Sequence, residues 1–267
     1  MLVRSPVRPR FAPARLGYCA LFGAALAAAP ARAQVAPAPA DTTARATGNP
    51  ARLDAGNGSR LFVGPTARNL RRGEGTVQNI AVFALTTDYG ISDRFSVGVL
   101  GTAVPGLGEY NLVGITPKFS VPVGRRLHVG VGAFGVYVAG TAVGLTYANA
   151  TLGTADHQLT AGVGFGFSGG GGFGSTPLLM LGGATRLGRR LFLVDETYLL
   201  RTSSGRRISA LAGVVGGRAV WPRLSASLGL AYLAYDYREQ SGSSTISNRN
   251  GAVGPYADVT FRFGRAR

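Results

Sequence analysis

A short turn followed by an apolar alternation returns about once every 32 residues along the chain, and no other feature limits the fold so strongly. The unit reads Ser59-Arg60-Leu61-Phe62-Val63-Gly64, then Asp93-Arg94-Phe95-Ser96-Val97-Gly98, then Arg125-Arg126-Leu127-His128-Val129-Gly130. It comes back at Asp156-His157-Gln158-Leu159-Thr160-Ala161-Gly162, at Arg189-Arg190-Leu191-Phe192-Leu193-Val194 and at Pro222-Arg223-Leu224-Ser225-Ala226. Arg60, Arg94, Arg126, His157, Arg190 and Arg223 stand 34, 32, 31, 33 and 33 residues apart. A barrel strand crosses a bilayer in roughly 9–11 residues. Two such strands with one tight turn and one modest loop occupy about 30–33 residues, the length of one membrane hairpin.

Period-two alternation assigns two faces. Phe95, Val97 and Val99 share one face, against Ser96, Gly98, Leu100 and Thr102 on the other. Leu159, Ala161, Val163, Phe165 and Phe167 alternate with Thr160, Gly162, Gly164, Gly166 and Ser168. Leu224, Ala226, Leu228, Leu230 and Tyr232 alternate with Ser225, Ser227, Gly229 and Ala231. A soluble barrel would turn the bulky residues inward and cover its outside with charge. Here almost no charge lies on either face, so the apolar face meets lipid and the small, weakly polar face looks inward. Composition agrees: 41 glycines, 15 % charged and 46 % hydrophobic residues, yet no apolar run after residue 33 approaches the ~20 residues of a spanning helix.

The expected fold is all-β, an antiparallel transmembrane β-barrel of about 12 strands in six hairpins, with 10 or 14 as alternatives. Upward strands begin near Arg60, Arg94, Arg126, His157, Arg190 and Arg223. Downward strands run near 77–89, 111–122, 142–152, 177–187, 207–219 and 252–263. Tight turns fall at Gly90-Ile91-Ser92-Asp93, Gly124-Arg125, Gly153-Thr154-Ala155-Asp156, Gly188-Arg189 and Trp221-Pro222, where Gly and Asp tolerate turn dihedrals. The opposite ends carry longer loops at Arg68–Thr76, Pro105–Tyr110, Gly169–Thr176, Thr202–Arg206 and Arg238–Gly251. Short turns face the periplasm in such barrels, so both termini are expected there. Phe62, Tyr89, Phe95, Phe119, Phe192, Trp221 and Phe263 form one expected aromatic belt. Tyr110, Tyr137, Tyr147, Tyr198, Tyr235, Tyr237 and Tyr256 form the other.

The N-terminus reads as a secretory signal over 1–33: Arg4, Arg8, Arg10 and Arg15, then the apolar stretch Leu16–Ala29, then Ala31-Arg32-Ala33 before the first mature residue, Gln34. Cys19, the sole cysteine, lies inside that segment, so the mature chain is expected to have neither a disulfide nor a thiol site. Residues 34–58, rich in Ala, Pro and Thr, read as a flexible periplasmic leader, and 59–267 as the barrel. Removing the signal lowers the net charge from +16 to +11. The remaining arginines fall in turns and loops, a rim pattern suited to anionic headgroups rather than nucleic acid.

The chain resembles porin-like outer-membrane β-barrel proteins of Gram-negative bacteria over residues 60–264. The hairpin period carries the resemblance, together with the closing strand Val259-Thr260-Phe261-Arg262-Phe263. Such barrels end in an alternating strand with a final aromatic that the insertion machinery reads; here Gly264-Arg265-Ala266-Arg267 follow it. Leu61-Phe62-Val63-Gly64-Pro65-Thr66-Ala67, followed by Gly73-Glu74-Gly75 and Asn79, is similar to an opening that recurs among barrels of this kind and implies no activity. The implied partners are outer-membrane lipid and lipopolysaccharide, the insertion machinery and small solutes.

No catalytic, cofactor or metal motif emerges. His128 sits inward above a turn and His157 at a turn, and neither has the serine and orienting group that a nucleophilic pair needs. Gly169-Gly170-Gly171-Gly172-Phe173-Gly174 lacks the Lys-Ser/Thr and helix of a phosphate cradle. Asp195 and Glu196 are adjacent, so one of the two must face lipid unless a bulge or the outer rim relieves it. The expected lumen-lining residues are Thr116, Lys118, Ser120, Glu196, Asp258, Thr260 and Arg262. The expected function is a narrow passive channel for small hydrophilic solutes, with a plugged structural barrel or a surface-loop adhesin as alternatives, and no enzymatic activity or cofactor.

Overall fold

Alternation over fourteen segments builds one closed antiparallel sheet, seen in a computed structural model that describes residues 59–106, 108–202, 206–241 and 244–264. The signal and leader readings lie outside the described residues. In chain order the strands are β1 (Glu74–Ile80), β2 (Ala84–Gly90), β3 (Phe95–Thr102), β4 (Val113–Ile115), β5 (Lys118–Pro122), β6 (Leu127–Val138) and β7 (Thr141–Gly153). They continue as β8 (His157–Ser168), β9 (Gly172–Phe173), β10 (Leu178–Arg186), β11 (Leu191–Arg201), β12 (Arg206–Val220), β13 (Leu224–Ser241) and β14 (Ser244–Gly264). Pro117, which has no N–H to donate, separates β4 from β5, and the two act as one barrel strand between β3 and β6. β9 is a two-residue fold-back on β8, and β10 pairs directly with β8. β14 pairs with β1, from Glu74 opposite Gly264 to Ile80 opposite Asp258, and this closes a barrel of 12 strands.

The strand number matches the periodicity, but the first hairpin is cut differently. Residues 60–67 form no barrel strand; they fold inside the lumen. The segment 77–89 is instead the outer part of two strands, β1 and β2, joined at Ala81-Val82-Phe83. Ala81 and Val82 take positive φ (49° and 71°), which is costly for a β-branched residue. Asn79 clamps the turn, accepting from the Val82 N–H at 3.1 Å and donating to its carbonyl at 3.3 Å. Arg68–Thr76 is likewise no distal loop: it lies at the short-turn end, where the Gly73 N–H donates to the Gly90 carbonyl. Arg238–Gly251 is not a loop either, because β13 and β14 stay paired out to Ser241 and Ser244. With 18 and 21 residues, those strands outrun a bilayer crossing and project about 20 Å beyond it.

The faces follow the alternation. Phe95, Val99, Phe119, Leu159, Leu181, Leu228 and Phe261 are exposed outward, while Ser96, Lys118, Ser120, Thr160, Ser225, Ser227 and Thr260 are buried inward. Two members of the expected short-turn aromatic belt do not belong to it: Phe62 and Phe192 are fully buried inside the barrel. From the other belt, Tyr256 is buried and Tyr147 and Tyr198 line an internal cavity. Neither escape proposed for the Asp195-Glu196 pair is used. The ladder runs through without a bulge, from Gly183 opposite Asp195 to Asp195 opposite Val215. Glu196 is buried inside and Asp195 is exposed on the lipid face, four residues from the short-turn end of β11.

Candidate functional site in the lumen

Residues 59–66 enter the lumen as a tight hairpin. Arg60 and Pro65 form an antiparallel bridge, the Thr66 N–H donates to the Ser59 carbonyl at 3.0 Å, and the Leu61 N–H to the Gly64 carbonyl at 2.9 Å. A backbone enclosed in a barrel must find hydrogen-bond partners on the wall, and this hairpin finds them on widely separated strands.

At its tip, three successive amides converge on one carboxylate. Glu196 Oε2 on β11 accepts from the Phe62, Val63 and Gly64 N–H groups at 2.9, 3.1 and 2.9 Å, and Tyr198 donates to Oε1 at 2.8 Å. Such a cluster of amides binds an anion without a formal cation. The hairpin carbonyls are served in turn. Arg218 donates to Leu61, Gln78 to Phe62 at 2.8 Å, Arg60 to Val63 at 3.2 Å and Asn149 to Pro65 at 2.7 Å. Lys118 Nζ reaches three, Arg68 at 2.7 Å, Ser59 at 3.0 Å and Thr66 at 3.4 Å. Arg60 forms a two-pronged pair with Asp88, both bonds at 2.7 Å, and also reaches Thr116.

The continuing chain crosses the short-turn mouth. Thr151 accepts from the Ala67 N–H at 2.7 Å, Arg68 donates to the Gly153 carbonyl at 2.7 Å, and Ser96 donates to Asn69 at 2.7 Å.

Apolar packing holds the hairpin against one side only. Leu61 and Phe62 are fully buried against Met180, Ala184, Phe192, Val194, Val214, Val220 and Tyr256, all on β10–β14. The Phe62 ring meets Tyr256 edge-on at 5.0 Å between centroids, and the Arg218 guanidinium stands 5.4 Å from the same ring. Beside this contact, with Met180 shared between the two, a cavity of about 320 Å³ remains between the hairpin and the strands from β2 through β8 to β11. Arg60, Asp88, Lys118 and Asn149 lie along it, with Phe134, Leu145, Tyr147, Leu178, Met180 and Tyr198.

Each expected lumen residue is thus located. Thr116, Lys118 and Glu196 meet around the hairpin. Ser120 is buried farther down β5. Asp258 and Thr260 are buried on β14, where an Asp258 oxygen lies 4.0 Å from Arg218, and Arg262 sits half-buried beyond them. The alternation left several partners unnamed: Arg60, Gln78, Asp88, Asn149, Thr151 and Arg218. Asp88 carried a usable signal, since it is the lone charge, at an inward position, of its strand and so requires a counter-group inside; Arg218 stands at an inward position eleven residues from the nearest other charge of its strand.

No protein-family model matches the chain, and no curated protein sequence matches it. Solved structures do. The chain is similar to a structure described as "KdgM porin", with 8% sequence identity, a TM-score of 0.51, and coverage of 71% of this chain and 99% of that one. It also matches "NanC porin structure in rhombohedral crystal form", with 11% identity, a TM-score of 0.43, and coverage of 71% and 98%. At such identities the likeness concerns the fold alone, and the fold shared with the KdgM porin structure is the closed antiparallel β-barrel.

Proposed function

We propose that the protein is a passive outer-membrane channel for small solutes, with an off-centre path between its lumenal hairpin and the wall formed by β3–β8. The observation that carries this reading is the one-sided packing of the hairpin. Leu61 and Phe62 are packed on β10–β14, while a cavity of about 320 Å³, lined mostly by β2–β8, stays unfilled beside them. Arg60, Asp88 and Lys118 line that path. Fixed charges lining a pore set which solutes pass.

One observation favours a closed structural barrel instead: the hairpin backbone is bonded to the wall nearly residue by residue. Single-channel recording in planar bilayers separates the two readings. The channel reading expects small, regular conductance steps from the intact chain and several-fold larger steps after deletion of residues 59–70. An intact chain that inserts and stays silent, while the deletion variant conducts, makes the protein a plugged scaffold.

The short turns are proposed to face the periplasm and the β13–β14 projection the cell exterior. A cysteine placed at Ser247 should then be labelled by an impermeant maleimide on intact cells; protection of that site would invert the orientation.

A further inference from the structure

The cavity beside the hairpin has a chemical character that the channel reading leaves unspecified. Its wall toward the long-loop end is apolar: Phe134 on β6, Leu145 on β7, and Leu178 and Met180 on β10. The charged groups along it are already engaged. Arg60 is committed to Asp88, Thr116 and the Val63 carbonyl, and Lys118 to three carbonyls. An entering ion would shed water and find the hydrogen-bonding capacity of these groups already taken, at a cost of several kcal/mol.

Tyr147 is different. Among the described residues its hydroxyl makes no hydrogen bond. The ring lies across Gly132, where a Cβ would fall 2.4 Å from the hydroxyl oxygen. Glycine at 132 is what allows the ring its place in the lining. Two residues along the same inward face, Asn149 is 7% exposed and donates to the Pro65 carbonyl, while its Oδ1 is buried against Gly130. An apolar chamber with one spare hydroxyl is complementary to a neutral ring that carries a polar substituent.

Size narrows the class. An engineered cavity of about 150 Å³ holds a benzene molecule, so about 320 Å³ admits one or two rings. We infer that this cavity is a binding site for small neutral amphiphiles of one or two rings bearing a hydroxyl group, of which a simple phenol is the model. The inference deepens the channel reading by naming the solute class, and it departs from the hydrophilic solutes that the small inward residues suggest.

The probe is 4-fluorophenol, followed by fluorine NMR with the full barrel in lipid nanodiscs; empty nanodiscs measure partitioning into lipid. The expected result is a saturable bound signal that only the protein-loaded discs give. Tyr147→Phe should weaken binding about 3- to 10-fold, the loss of one ordinary hydrogen bond. Leu178→Trp, which fills the chamber, should abolish the saturable component. Leu145→Phe is a milder filling variant should the first fail to show heat-modifiable gel mobility. Glucose should not compete.

Absence of a saturable component, displacement by glucose, or full binding in a folded cavity-filled variant would each overturn the inference. Conductance recorded on the same preparation keeps the two readings apart. Conduction without binding removes the ligand site and leaves the channel; binding without conduction does the reverse.

Discussion

Replacing Glu196 with alanine should release the lumenal hairpin, and the energies follow from its contacts. In the parent, three amides share this single carboxylate, those of Phe62 and Gly64 buried and that of Val63 partly so. An unsatisfied buried donor costs about 1–3 kcal/mol, so a hairpin that stayed docked would carry about 2–6 kcal/mol of penalty from the two buried amides. The opposing gain is the burial of Leu61 and Phe62, both fully enclosed, at about 1.5–3 kcal/mol per side chain. The two quantities are of the same size, so docking is lost or reduced to a minor population.

Thr66, fully buried in the same hairpin, is the reporter. Thr66→Cys is nearly isosteric, and replacing Cys19 leaves no other thiol. Maleimide labelling of this cysteine should be slow with Glu196 in place. A loss of about 3 kcal/mol in docking makes it about 100-fold faster in Glu196→Ala. Glu196→Gln keeps an acceptor but gives up the charge assistance, so its rate should fall between the two. Conductance steps should grow in the same order. Equal labelling rates in parent and alanine variant, with equal conductance, would refute the claim that this carboxylate anchors the hairpin.

Three further outcomes are expected. Arg60→Ala strands the buried Asp88 carboxylate, which costs about 3–5 kcal/mol; the midpoint of the heat-induced gel shift should drop, and Arg60→Ala with Asp88→Ala should recover most of it. Lys118→Glu turns three donor contacts to carbonyls into repulsion, so it should both enlarge the conductance steps and move ion preference toward cations in reversal-potential measurements. Asp195→Leu removes a carboxylate from the lipid face. Lipid-facing Arg or Lys costs about 2–4 kcal/mol at the midplane and Asp less, so this variant should stabilise the barrel by about 1–2 kcal/mol in urea titrations from lipid vesicles.

The wall was legible because its code is local. A strand between lipid and lumen alternates regardless of what its distant neighbours are, so Phe95–Thr102 and His157–Ser168 show their two faces in their own residues. The same rule misplaced Leu61-Phe62-Val63-Gly64. Apolar residues beside a turn read as a strand start, yet this segment buries Leu61 and Phe62 against the barrel interior, in one cluster with Phe192 and Val194. The first hairpin was hidden for a second local reason: Ala81 and Val82 adopt positive φ without the Gly, Asn or Asp that announces such a turn.

Sequence alone therefore determined the barrel wall and the direction of most side chains, since both depend on residues two apart; its count of about 12 strands left 10 and 14 open and cut the first hairpin in the wrong place. Only the tertiary structure decided what occupies the lumen. The groups that hold the hairpin are brought to it from 134 positions away at Glu196, 157 at Arg218 and 84 at Asn149. Closing the barrel puts those side chains around one point, and no periodicity along the chain encodes that meeting.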